Sequence, residues 1–182
     1  MDNTSPSTQT LVLGGGCFWC TEAVYVEVKG VLDVESGYSN GHVPAPTYEQ
    51  VCTGTTGHNE VVKLVYDPAQ VSTRELLEIF FLIHDPTTLN RQGNDVGTQY
   101  RSAIFPLDAE QRGEAEAGIA RAQAERAQPV VTTIEIASTW YPAEDYHQEY
   151  WDGEGQRNPY CLAVIPPKLM KLRKSFADKV KG

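Results

Sequence analysis

The 182-residue sequence has no apolar run approaching the about 20 residues that a membrane helix needs, so a helical membrane span is excluded. Its opening, MDNTSPSTQT, holds no basic cluster and no apolar stretch. A secretion signal is therefore not expected, and the cytoplasm is the expected location. Positive charge is scarce. Fifteen Lys and Arg against 24 Asp and Glu leave a net charge of −9, which opposes binding to nucleic-acid phosphates. The basic tail KLMKLRKSFADKVKG is the exception, and it reads as a solvated helix face. There is no internal repeat and no low-complexity linker. Apolar content of 41% and charged content of 21% suit one globular domain with a sizeable core. Residues 1–9 read as a disordered lead and residues 10–182 as the single domain. Monomeric behaviour is expected.

Cysteines are few: Cys17, Cys20, Cys52 and Cys161. In a reducing cytosol they are not expected to form a disulfide framework, so some should be catalytic, metal-binding or simply buried. TLVLGGG reads as a short strand breaking into glycines, and CFWCTEAVYVEVKG as a helix stopped at Gly30. VLDVESGYS and EVVKLVYDP alternate like strands around a long loop, residues 40–59. STRELLEIFFLIHD is a helix with a capping box from Ser72 to Glu75. A polar loop follows, then a strand in QYRSAIFP, a surface helix over 107–127, a strand in VVTTIEIAS and a helical turn in AEDYHQEYW. A terminal helix in PPKLMKLRKSFADKV closes the chain. The order β-α-β-β-α-β, then α and β, predicts an α/β (α+β) fold: a mixed sheet with a split β-α-β core and helices packed on it.

Cys17 falls where a strand ends and a helix begins. The first N–H groups of a helix lack internal partners and carry partial positive charge. A thiolate there is stabilised, and its pKa can fall from about 8.5 to roughly 3.5–7.5. Reactive-sulfur chemistry at Cys17 is expected on that ground. The bland reading makes Cys17 and Cys20 small buried hydrophobes. A zinc reading lacks a second CxxC pair, and Cys52 with His58 has the wrong spacing for a knuckle. CxxC alone also fits a general thioredoxin-like thiol-disulfide oxidoreductase. The Phe18-Trp19 pair between the thiols is odd for that role. Two rings beside a sulfur make an apolar pocket suited to a methyl group on sulfur.

With these residues in view, GCFWC resembles the signature of the A-type peptide methionine sulfoxide reductases, in its GCFWC form. Three further segments are similar to theirs: GYSNGHVPAPTYEQVCTGTTGHNEVV, HDPTTLNRQGNDVGTQYRSAIFP and YPAEDYHQEYW. The resemblance implies reduction of methionine-S-sulfoxide, free or in proteins, to methionine. It implies Cys17 as nucleophile, with Phe18 and Trp19 cradling the substrate methyl. Tyr48 and Tyr100 would bond the sulfoxide oxygen, Glu60 would protonate it, and Asp95 would order the polar site through water. Glu60 must then be neutral, so the site asks for a cysteine pKa pushed down and a glutamate pKa pushed up. Cys17 would end as a sulfenic acid, a second cysteine would form a disulfide, and thioredoxin would reduce it. No cofactor and no metal are implied; the reducing equivalents come from thioredoxin.

The resolving cysteine stays open between Cys20, one helical turn from Cys17, and Cys161, in a C-terminal resolving segment over 152–182. Cys161 would need its segment to fold over the site. Cys52 reads as a buried structural thiol. Two departures from the family pattern stand in the long loop. Ser39-Asn40-Gly41 replaces a Gly-Gly pair, where Asn tolerates a left-handed backbone, and Ala45-Pro46-Thr47 stands where Asn-Pro-Thr is usual.

Overall fold

The computed structural model describes residues 7–181. Strand β1 (Gln9–Gly15) starts at the last residue of the expected lead, whose residues 1–6 lie outside the described residues. The chain continues through α1 (Phe18–Tyr25), β2 (Val31–Ser39), α2 (Tyr48–Cys52), β3 (Asn59–Tyr66) and α3 (Thr73–Ile83). A small hairpin of β4 (Arg91–Gln92) and β5 (Asp95–Val96) precedes β6 (Ser102–Phe105) and α4 (Ala109–Ala124). Strands β7 (Thr133–Ile134) and β8 (Tyr141–Pro142) lead to the terminal helix α5 (Pro159–Ser175).

The main sheet runs β7-β6-β1-β3-β2-β8. Only β6 and β7 pair in parallel. The inner strands β6-β1-β3-β2, joined through α1 and α3, are the split β-α-β core expected from the order of elements. Alternation along each strand sorts the two faces. Leu11, Leu13, Val62, Leu64 and Tyr66 join the main core under the helices. Val12, Val61, Ala103 and Phe105 form a small cluster on the opposite face, where Trp140 covers them. The same period of two puts Glu60, at the start of β3, on the helix side. Helix α1 lies between this face and α5, and all but one of its residues are buried.

Two helix starts use capping boxes. Ser72 and Glu75 cap α3 as expected, and Thr47 with Gln50 caps α2 inside the long loop. Helix α1 ends at Tyr25, not at Gly30. Residues 24–28 alternate β-branched Val with Tyr and Glu, and Val28 bridges Val180 of the returning tail. VVTTIEIAS keeps only two strand residues. Beyond them Glu135 turns to pair with Arg101, while Ile136 is exposed.

The terminal helix starts seven residues before the expected Pro166 and runs through Pro166 and Pro167. Its Asn158 side chain caps the N–H groups of Tyr160 and Cys161, and Pro159 occupies the first turn, where its missing N–H costs nothing. The carbonyls that the internal prolines leave unbonded belong to Leu162 and Ala163, both exposed to water. Over the described residues 152–181 the segment is therefore a lead-in, a packed helix and a short returning tail, with Cys161 fully buried in the first turn of the helix.

Candidate active site

Strand β1 hands the chain to α1 through three glycines. A Cβ on Gly14 would stand 2.0 Å from Asn59 Oδ1, and Gly16 has φ +95°, a conformation that glycine alone adopts freely. Asn59 fills the space so left and donates to the carbonyls of Gln99 (2.9 Å) and Arg101 (3.1 Å). The turn delivers Cys17 to the N-cap of α1, where its carbonyl accepts from Cys20 N–H at 3.1 Å. Cys17 is 8% exposed and Cys20 4%. Their thiols are hydrogen-bonded to each other.

Glu60 reaches across from β3. Its Oε1 accepts the Phe18 N–H at 3.2 Å, and its Oε2 is buried with no partner. Burial pushes the carboxyl up to about 8, with the Phe18 N–H opposing and the Asp95 and Cys20 charges adding to the rise. Glu60 is a neutral acid at pH 7. The expected depression of the Cys17 thiol is not found. Burial drives its pKa well above the ordinary value, and Cys20 and Glu60 add to the rise. The reason is local: the first free N–H of α1 goes to Glu60, leaving only the Trp19 N–H to favour the Cys17 thiolate. Within the thiol pair Cys20 is the easier to ionise, because the Cys17 S–H donates to it.

The outer wall is aromatic. Phe18 is buried, with its ring 6.4 Å from Tyr48 and 5.2 Å from His147. Trp19 stacks on Tyr150 at 4.0 Å and 12°, and its Nε1 donates to His147 Nδ1 at 3.0 Å. His147 is fully buried and neutral, burial lowering its pKa; with Nδ1 accepting, its proton is on Nε2, which has no partner. Burial and the Glu60 charge raise the phenols of Tyr48 and Tyr100, keeping both as O–H donors. Asp95, on β5, accepts directly from the Tyr160 hydroxyl of α5.

Cys17, Cys20, Phe18, Trp19, Tyr48, Glu60, Asp95 and Tyr100 thus converge on one site. Cys161 borders it from α5, its thiol pushed up to about 11 by burial and then by Cys20. Cys52 departs from expectation: it is exposed at the end of α2, beside the Tyr48 hydroxyl. Short α2 turns its inner side through Val51 and leaves Cys52 on its outer one.

The family model for peptide methionine sulfoxide reductases matches residues 9–180. A peptide methionine sulfoxide reductase MsrA from Erwinia tasmaniensis is 63% identical over 171 residues, 94% of this chain and 96% of that protein. The chain belongs to the peptide methionine sulfoxide reductase family. Among solved structures, reduced Mxr1 from Saccharomyces cerevisiae matches with a TM-score of 0.77 at 36% identity, over 87% of this chain and 90% of that one. Mxr1 in complex with Trx2 matches with a TM-score of 0.57 at 25% identity, over 82% and 88% of the two chains.

Sequence reasoning overlooked several groups of this reductase fold. Glu144 accepts from Tyr38 O–H at 2.8 Å and from Tyr48 N–H at 2.9 Å. Glu22 is buried and accepts the Glu149 N–H at 3.0 Å. His147, Tyr150 and Tyr160 were visible only as aromatic and titratable density in AEDYHQEYW and NPYC. The Asn158-Pro159 pair was the readable signal that α5 starts before Cys161.

Proposed function

We propose that the site reduces methionine-S-sulfoxide, free or in oxidised proteins, and that this chain belongs to the GCFWC group within its family. The observation that carries the reading is Glu60. A buried, protonated carboxyl hydrogen-bonded to the N–H of the residue after a buried thiol, beside an aromatic wall, is a proton donor for a polar atom on an otherwise apolar ligand. The sulfoxide methyl lies against Phe18 and Trp19. Its oxygen takes hydrogen bonds from Tyr48 and Tyr100 and the proton of Glu60. Cys17 sulfur attacks the sulfoxide sulfur, the protonated oxygen then moves to Cys17 sulfur as the new sulfur–sulfur link and the substrate S–O bond break, and methionine leaves with Cys17 as a sulfenic acid. The proton Cys17 loses returns to the Glu60 carboxylate, so protons balance. Asp95 holds Tyr160 at the edge of the site.

Cys20 then forms the disulfide with Cys17, being already hydrogen-bonded to it. Cys161, buried beside Cys20, passes the disulfide outward. The two electrons come from the dithiol of thioredoxin, as the complex of Mxr1 with Trx2 suggests for that relative. No bound cofactor or metal enters this scheme. We place the reaction in the cytoplasm, with the protein acting as a monomer; no helix among the described residues is long and apolar enough to cross a membrane.

The test is a racemic methionine sulfoxide with dithiothreitol or thioredoxin. The S-epimer alone should disappear on a chiral column, and Cys17→Ser should abolish this. Turnover of neither epimer overturns the reading. A general thiol-disulfide oxidoreductase would reduce insulin, for which thiols only 8% and 4% exposed are poorly placed.

A further inference from the structure

Helix α5 carries a charge that the scheme above does not use. Lys168 lies two turns beyond Cys161, on the same side of the helix. Its side chain is partly buried where α5 packs against both α1 and α3. The ammonium donates to the carbonyl of Ile83, the last residue of α3, where the unpaired carbonyls of a helix end favour a cation. It forms no ion pair with a carboxylate among the described residues. A cation drawn from water without a carboxylate partner needs another anion nearby. Burial and Lys171 on its own helix oppose the Lys168 ammonium, while the negative charges of Cys20, Cys17 and Asp95 favour it. His84, close to it at the end of α3, is held neutral by burial, its pKa lowered to about 3.

We propose that Lys168 is a positioning residue for disulfide formation: its ammonium, fixed on the end of α3, holds Cys20 as the thiolate that resolves Cys17. The inference rests on the reductase reading for its reaction and on the packing of α5 for its geometry. In the step it serves, Cys20 thiolate attacks the sulfur of Cys17 sulfenic acid. The S–S bond forms, the S–O bond breaks, and the hydroxide released takes up the proton that Cys20 gave up on ionising. Cys20 is oxidised and Cys17 reduced to the disulfide level. The titratable groups that act on Cys20 are Cys17 at the N-cap of α1, Asp95 on β5, Glu60 on β3, and Tyr160, Cys161 and Lys168 on α5. Cys17 and Lys168 favour its thiolate, Cys17 more strongly, and Tyr160 adds a hydrogen bond. Burial and the Asp95 charge oppose them.

The experiment compares Lys168→Met and Lys168→Arg with the unaltered protein. One sulfoxide turnover is followed by alkylation and mass analysis, which separates methionine release from Cys17–Cys20 bond formation across pH. Lys168→Met should move the pH midpoint of bond formation up by about one unit, equivalent to a tenfold slower step at a fixed lower pH, while methionine release stays put. Lys168→Arg should restore the midpoint. An unmoved midpoint, or an equal shift in both steps, overturns the proposal. A second measurement needs no turnover: alkylation of Cys20 against pH in a Cys17→Ser, Cys52→Ser, Cys161→Ser background, with and without Lys168→Met. A higher midpoint without the lysine supports the proposal even if no sulfoxide is reduced, and equal midpoints refute it.

Discussion

Two glutamates flank the site, and their environments push them in opposite directions. Glu60 belongs to the sheet wall. It sits on a paired strand, fully buried, with one carboxyl oxygen unpartnered and its pKa driven up to about 8 by burial. Glu144 belongs to the loop wall. It precedes a short turn near β8, and both oxygens are bonded, one to the Tyr38 hydroxyl and one to the Tyr48 N–H. Burial works on Glu144 too, but these hydrogen bonds outweigh it and hold its pKa below the usual carboxylate range. One carboxyl is kept as an acid by lacking partners; the other is kept as an anion by having them. The contrast expected between a lowered cysteine and a raised glutamate exists instead between these two acids. Cys17 shares the fate of Glu60 because the helix N–H that could have ionised it is spent on the carboxyl.

The largest effect should follow from erasing the proton of the sheet wall. Glu60→Gln keeps the shape and an acceptor for Phe18 N–H. It should cut single-turnover methionine release by about 10²–10⁴-fold, the usual contribution of a placed acid. In the unaltered protein the same step should fail as pH rises through about 8, where Glu60 loses its proton. The stability change has a fixed sign. A carboxyl raised in the folded state binds a proton there that the unfolded chain releases near 4.5, so stability falls with pH between that value and about 8. Glu60→Gln should flatten that slope in urea titrations run at several pH values. A variant with full turnover would remove the acid from the scheme.

Breaking the loop wall should cost less activity and more stability. Glu144→Ala leaves the Tyr38 hydroxyl and the first N–H of α2 without their acceptor, for a loss of about 1–3 kcal/mol. The pH dependence runs the other way from that of Glu60. A depressed carboxyl contributes above its unfolded pKa and stops doing so as pH falls through its folded value, so the loss should shrink in acid. Chemical unfolding near neutrality and near pH 3 checks both statements. An equal loss at both pH values would show that charge plays no part.

How much of this could be read beforehand follows from the range of the forces involved. Strand β2 was legible residue for residue because alternation is local, and Ser72 with Glu75 announced α3 because a capping box spans four residues. The convergence of Cys17, Glu60, Tyr48, Asp95 and Tyr100 was legible only through resemblance, since nothing local links positions so far apart in the chain. The state of Cys17 was not legible at all. It depends on which acceptor takes the Phe18 N–H, and that is decided by the register of β3 against β1 and β2. The start of α5 was misplaced for another reason. Pro166 and Pro167 look like a helix boundary, and only the exposure of Leu162 and Ala163 lets the helix run through them.

The smallest expected effect tests where the loop wall is imperfect. Asn40, at φ +66°, takes the left-handed turn that asparagine tolerates, and its side chain accepts from Ser138 N–H at 2.9 Å. Ala45 is also left-handed, at φ +43°, and stands exposed just before buried Pro46. Alanine has no local hydrogen bond to offset that conformation, and the proline ring restricts it further. The Asn of the usual Asn-Pro-Thr pattern suits the backbone found here better than the residue present. Ala45→Asn should therefore raise stability by about 0.5–1 kcal/mol, read as a higher urea midpoint at unchanged slope, with methionine release unaffected. The sheet wall offers no such gain, because the glycine with the most strained conformation there, Gly16, is already the residue its φ of +95° requires. A midpoint that stays where it was would mean that the loop relaxes out of the left-handed turn at no cost, and the loop wall would then be softer than its hydrogen bonds imply.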